Sequence, residues 1–142
     1  MTDKSPNSPA SKTYLNGKTG NGPEPKRFMY VNRKAPHGSI YAQESLELAL
    51  ITAAFDQQVS LVFLDDGVFQ LKKDQNTSAL SMKNFAKTYR ALGDFEIDKI
   101  YVEKESLINR GLSAQDLIIP VEVLAAEQLS GIMAQQDVVI SS

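Results

Sequence analysis

Residues 27–71 read RFMYVNRKAPHGSIYAQESLELALITAAFDQQVSLVFLDDGVFQL. The apolar run Phe28–Val31 closes in a polar loop, Asn32 to Ser39. A helical pattern follows from Ile40 to about Asp56, with Ser39 suited to cap its first free backbone N–H. A second apolar run, Val59–Leu64, ends in Asp65-Asp66-Gly67. Two parallel strands need a crossover of a dozen or more residues, usually a helix, and this segment supplies one. Val59–Leu64 is almost unbroken in apolarity rather than alternating, which marks a strand covered on both faces.

The rest of the chain reads as more of the same sheet. After polar residues 72–76, a helical pattern covers Ala79 to Leu92, its stripe Met82, Phe85, Ala86, Tyr89 and Leu92, with Gly93 placed to end it. Strand three is Lys99–Val102, followed by a short helix Lys104–Arg110 closed by Gly111. Ser113-Ala114-Gln115-Asp116 has the pattern of a capping-box turn. A fourth strand fits Ile118–Leu124, with Pro120 arguing for an edge or a break. A last helix, Ala125–Gln136, turns Leu129, Ile132 and Met133 inward, and Val138–Ile140 makes a final buried strand. The expected fold is a three-layer α/β/α domain, 27–142, on a mostly parallel five-stranded sheet.

Residues 1–26 form a separate tail. It holds four of the six prolines, three glycines, and only Tyr14 and Leu15 as large apolar side chains after Met1. Such a segment cannot offset its ordering entropy by burial, so it is expected to be disordered.

Composition narrows the chemistry. The 142 residues contain no cysteine and one histidine. That removes disulfides, thiol nucleophiles and thiolate ligands, and argues against zinc or iron sites built on several imidazoles. No cofactor is expected. No apolar run reaches the ~18 residues of a membrane span, and the N-terminus lacks a secretion signal's apolar region. Residues 1–27 carry five basic and two acidic side chains, and residues 28–142 ten and fifteen, so about +3 and about −5. An acidic domain is not expected to bind nucleic acid directly, because that backbone rewards clustered Lys and Arg. The absence of cysteine fits a cytosolic protein but leaves the compartment open.

In an open parallel sheet, ligands sit beyond the carboxyl ends of the strands. After strand one come Arg33, Lys34, His37 and Ser39, a candidate oxyanion pocket at a helix start or, equally, a loop whose turn Pro36 and Gly38 fix. After strand two come Asp65 and Asp66, carboxylates able to hold Mg²⁺ or share a proton, or else to cap a helix or face solvent. Val68, Phe69 and Leu71 are too apolar for an open loop and imply a buried flap or a subunit contact. After strand three stands Glu103, favoured at a helix start by the backbone dipole. Helix one is also unusually apolar. Leu46, Leu50, Ala53 and Ala54 make one stripe, while Leu48, Ala49, Ile51 and Phe55 fill much of the rest, so its second face is either covered or meets another subunit.

Several of these segments together resemble the DsrE/DsrF/DsrH family, and its DsrF/TusC branch in particular. They are 34-KAPHGS-39, 64-LDDGVFQL-71, 82-MKNF-85, 88-TYRALGD-94, 100-IYV-102, and Ser106-Leu107 through Arg110-Gly111-Leu112. The resemblance runs from residue 27 to about 117. It implies a small α/β domain within a cytoplasmic heterohexamer, two copies each of three related chains, which hands on sulfur for sulfur oxidation or for tRNA 2-thiolation. In that family the sulfur rides as a persulfide on a cysteine just after strand three of the DsrE/TusD-type chain, eight residues before the glycine that ends the next helix. Counting back from Gly111 reaches Glu103. A carboxylate cannot accept sulfane sulfur from a donor persulfide. The resemblance therefore implies a non-catalytic subunit, with no catalytic residue and no metal of its own, partnered by DsrE/TusD-like and DsrH/TusB-like chains. The competing expectation is a homo-oligomeric binder of a small ligand or oxyanion at the strand-one loop.

Overall fold

The computed structural model describes residues 24–35, 41–73 and 91–141, with the backbone alone at 41–43. Most of the 1–26 tail, the loop bearing His37 and Ser39, and most of the helix expected over 79–92 lie outside the described residues. Strand β1 (Arg27–Asn32) leads to α1 (Tyr41–Ala54), β2 (Gln58–Phe63) and a 3-10 helix at Asp65–Leu71. After a second 3-10 helix, Ala91–Phe95, come β3 (Lys99–Glu103), α2 (Lys104–Asn109) and a 3-10 turn at Ala114–Asp116. Strand β4 (Glu122–Leu124), α3 (Ala126–Ala134) and β5 (Val138–Ser141) complete the order.

The five strands make one sheet in the order β4-β3-β2-β1-β5, and every pairing is parallel. The step from β1 to β2 and the step from β4 to β5 run in opposite directions across this sheet. Right-handed crossovers then put α1 and α3 on opposite faces. The two cores show the same division. Tyr30, Leu61 and Phe63 pack with Leu46 and Ala49 of α1 and Leu107 of α2, while Met29, Val31 and Val62 pack with Leu129 of α3. The expected three-layer α/β/α arrangement is the one observed.

One local expectation is given a definite form and three are corrected. The buried flap expected of Val68, Phe69 and Leu71 is a 3-10 helix, Asp65–Leu71, whose Val68 and Leu71 are wholly buried in the α1-side core. Three residues per turn stacks these two on one side, which gives the apolar pair a place to go. Gly93 does not end a helix in a left-handed conformation; it lies inside the 3-10 helix Ala91–Phe95, and Glu96 takes the positive φ of 62° instead. Strand β4 is confined to Glu122–Leu124, beyond Pro120, at one edge of the sheet. Strand β5 is the other edge. Its Val139 and Ile140 are exposed rather than buried, because no strand among the described residues lies beyond them. Gly111, by contrast, closes α2 with a φ of 70°, as its position implied.

Candidate functional site

The parallel register brings the ends of three strands side by side. Asn32 pairs with Phe63 and Phe63 with Val102, so the residues that follow β1, β2 and β3 emerge together at the carboxyl edge. There Arg33 donates from Nε and Nη2 to Asp65 Oδ2, at 3.1 and 2.9 Å. Asp65 has a left-handed backbone (φ 52°), which aspartate tolerates better than most residues. Its N–H donates to Ser106 Oγ at 2.8 Å, and that hydroxyl donates in turn to Glu103 Oε1 at 2.5 Å. A chain of contacts thus crosses the sheet edge: guanidinium, carboxylate, backbone amide, hydroxyl, carboxylate.

Asp66 goes elsewhere. It accepts from Arg110 Nε at 3.0 Å, while Arg110 Nη1 donates to the Ser106 carbonyl at 3.2 Å, satisfying one of the free carbonyls at the end of α2. The two neighbouring carboxylates are therefore divided between two arginines. Among the described residues, no three His, Cys, Asp or Glu side chains converge as metal ligands would. Ser106 is buried, with its proton held by Glu103 and a lone pair held by the Asp65 amide. It is a bracket between loops rather than an accessible nucleophile.

The end of β1 is held with equal care. The buried Asn32 side chain donates to the Tyr30 and Val62 carbonyls, and the Asn32 backbone carbonyl accepts from Leu64 N–H at 3.1 Å. Gln70, buried in the 3-10 helix, donates to the Lys34 carbonyl at 2.7 Å. Gly67 lies so close to the same strand end that a Cβ there would fall 1.9 Å from the Asn32 carbonyl oxygen.

Of the residues singled out from sequence, Arg33, Asp65 and Glu103 meet in one network, and Asp66 adjoins it through Arg110. Lys34 contributes its backbone carbonyl. His37 and Ser39 lie outside the described residues. Sequence reading missed Ser106, Arg110, Gln70 and Asn32. Ser106 carried a faint signal, three residues after a helix-start glutamate and next to Leu107 on the inward side of α2.

Comparison with known proteins follows the same outline. Residues 26–141 match the profile of the DsrE/DsrF-like family. The intracellular sulfur oxidation protein DsrF of Allochromatium vinosum is 48% identical over 130 residues, covering 82% of this chain and 96% of that protein. The TusC homolog of Pseudomonas aeruginosa is 37% identical, covering 80% of this chain and 96% of its own length. Escherichia coli TusC is 33% identical, covering 81% and 98%. In fold, the crystal structure of the E. coli ychN protein superposes with a TM-score of 0.70 at 22% identity, over 82% of this chain and 99% of that one.

Proposed function

The chain belongs to the DsrE/DsrF-like family, and from that premise we propose that it is the non-catalytic, DsrF/TusC-like subunit of a cytoplasmic sulfur-relay complex. Its partners in this reading are a DsrE/TusD-like chain, which carries the sulfur, and a DsrH/TusB-like chain. The observation that carries the proposal is Glu103. It stands at the end of β3, the position that the family resemblance matches to the carriers' cysteine, and the sequence contains no cysteine at all. Sulfur transfer requires a thiolate that attacks a sulfane sulfur, and neither a carboxylate nor a buried, doubly engaged serine supplies one. The 48% identity to a DsrF, against 33–37% to the TusC proteins named above, favours sulfur oxidation over tRNA thiolation as the pathway served.

The test is co-expression of the full chain with the DsrE-like and DsrH-like chains of its own genome, followed by native mass spectrometry and exposure to a persulfide donor. A mass of two copies each of three chains, with added sulfur only on partner cysteines, is expected. Persistence of whole multiples of 15.6 kDa in the partners' presence would overturn the reading.

A further inference from the structure

Helix α1 has two apolar faces, and among the described residues only one is covered. Leu46 and Ala49 are buried, and Leu50 and Ala53 pack beside them on the sheet. On the far side, Leu48, Ile51 and Phe55 are 50%, 54% and 73% exposed. Their spacing of three and four residues puts them in one row along the helix and its end. Glu44, also exposed, begins that row one turn earlier. On the same side of the sheet, in register with Tyr30, stands the exposed Ile140 of β5; the Tyr30 hydroxyl in turn shares a hydrogen bond with Thr52 of α1.

The charge pattern restricts what can lie on this row. Helix α1 contains Glu44 and Glu47 and neither lysine nor arginine. A second copy docked face to face across the row meets it with the same acidic side chains. Like charges at a desolvated contact are penalised, while a basic rim around an apolar centre is attracted and steered in.

We infer that the Leu48–Ile51–Phe55 face of α1 is a docking surface for a different chain, which presents an apolar patch rimmed by lysine or arginine. This rests on the heteromeric reading above and adds the face and the chemistry of its occupant. The probe is the set of DsrE-like and DsrH-like chains from the same genome, mixed with the full-length protein. Leu48→Ser/Phe55→Ser is expected to weaken assembly about 100-fold or more, by loss of a central apolar anchor. Glu44→Lys is expected to weaken it about tenfold at low salt, the difference narrowing as salt screens the contact. All these side chains are exposed, so thermal melts of the variants should match wild type, separating lost docking from lost folding. Assembly of both variants at wild-type affinity would sink the inference and leave the heteromeric reading standing. A homo-oligomer that depends on Phe55 would sink it too, by making the occupant a second copy. Failure of the wild-type chain to join the partners would overturn both.

Discussion

Gly67→Ala probes how the 3-10 helix is seated on the end of β1. The added Cβ would lie 1.9 Å from the Asn32 carbonyl oxygen and 2.6 Å from its carbon, where ordinary contact begins at 3.4 Å. Something must move by 3.4 − 1.9 = 1.5 Å. Side-chain rotation cannot relieve the contact, because both atoms belong to the backbone. That carbonyl is also fixed by its bond from Leu64 N–H. The helix must therefore lift, drawing the fully buried Val68 and Leu71 from the core. Over-packing costs ~1–3 kcal/mol, and full exposure of each of these side chains would cost ~1.5–3 kcal/mol more. Partial lifting thus predicts a loss of about 3–5 kcal/mol, or a fall of roughly 10 °C or more in melting temperature. The opposite sign is a real alternative. A glycine with free space gains ~0.4–1 kcal/mol on becoming alanine, since the unfolded chain loses freedom. Urea unfolding of the full chain, followed by circular dichroism, separates the two. A Gly67→Ala protein within about 0.5 kcal/mol of wild type, or above it, would falsify the close approach and the clamp drawn from it. Gly131→Ala is the matched control. It lies inside α3, where a Cβ meets nothing within 4 Å, so stability should rise by ~0.5–1 kcal/mol.

Two further expectations concern single side chains. Ser106→Ala leaves the Asp65 N–H and the Glu103 carboxylate without their shared hydroxyl, so the chain should lose about 1–3 kcal/mol, measured by the same unfolding assay; an unchanged midpoint would mean the bracket contributes nothing. The Tyr101 phenol is pushed above its ordinary value of 10.0, chiefly by burial and then by the Glu122 and Asp98 carboxylates. Because the folded value is raised, its contribution to stability is fully present below about pH 10 and is lost as pH rises through the folded value. The wild-type melting temperature should therefore fall relative to that of Tyr101→Phe as pH rises through the folded value, and parallel curves would contradict the assignment.

The sheet was legible because its central strands carry a local mark. Val59–Leu64 is apolar on both alternating faces, and only a covered parallel strand needs that. The edges were less legible for the same reason read backwards. Val138–Ile140 has the composition of a buried strand, and nothing local distinguishes a strand with neighbours on both sides from one with a single neighbour. Pro120 was an exception, since the lost N–H marks an edge directly. The 3-10 helix at 65–71 was hidden by its start, Asp-Asp-Gly, which reads as a turn. The signal that it would fold inward was the three-residue step from Val68 to Leu71, a period easily lost between those of strand and helix.

The site was half legible, and the division has a physical cause. The strand-end rule located Arg33, Asp65 and Glu103 without any knowledge of their contacts, because parallel strands must all deliver their successors to one edge. It could not say which carboxylate would meet which arginine. That depends on the left-handed backbone at Asp65, which turns two adjacent acids toward different partners. The Arg33–Asp65 bond lies near the surface and by itself contributes ~0–1 kcal/mol, so its value is geometric. Together with Ser106 and Glu103 it ties the ends of β1, β2 and β3 into one closed edge. Among the described residues, the carboxyl edge is thus occupied by its own hydrogen bonds, while α1 leaves a row of apolar side chains in water. On the heteromeric reading proposed above, that row is the part of the chain that meets another protein.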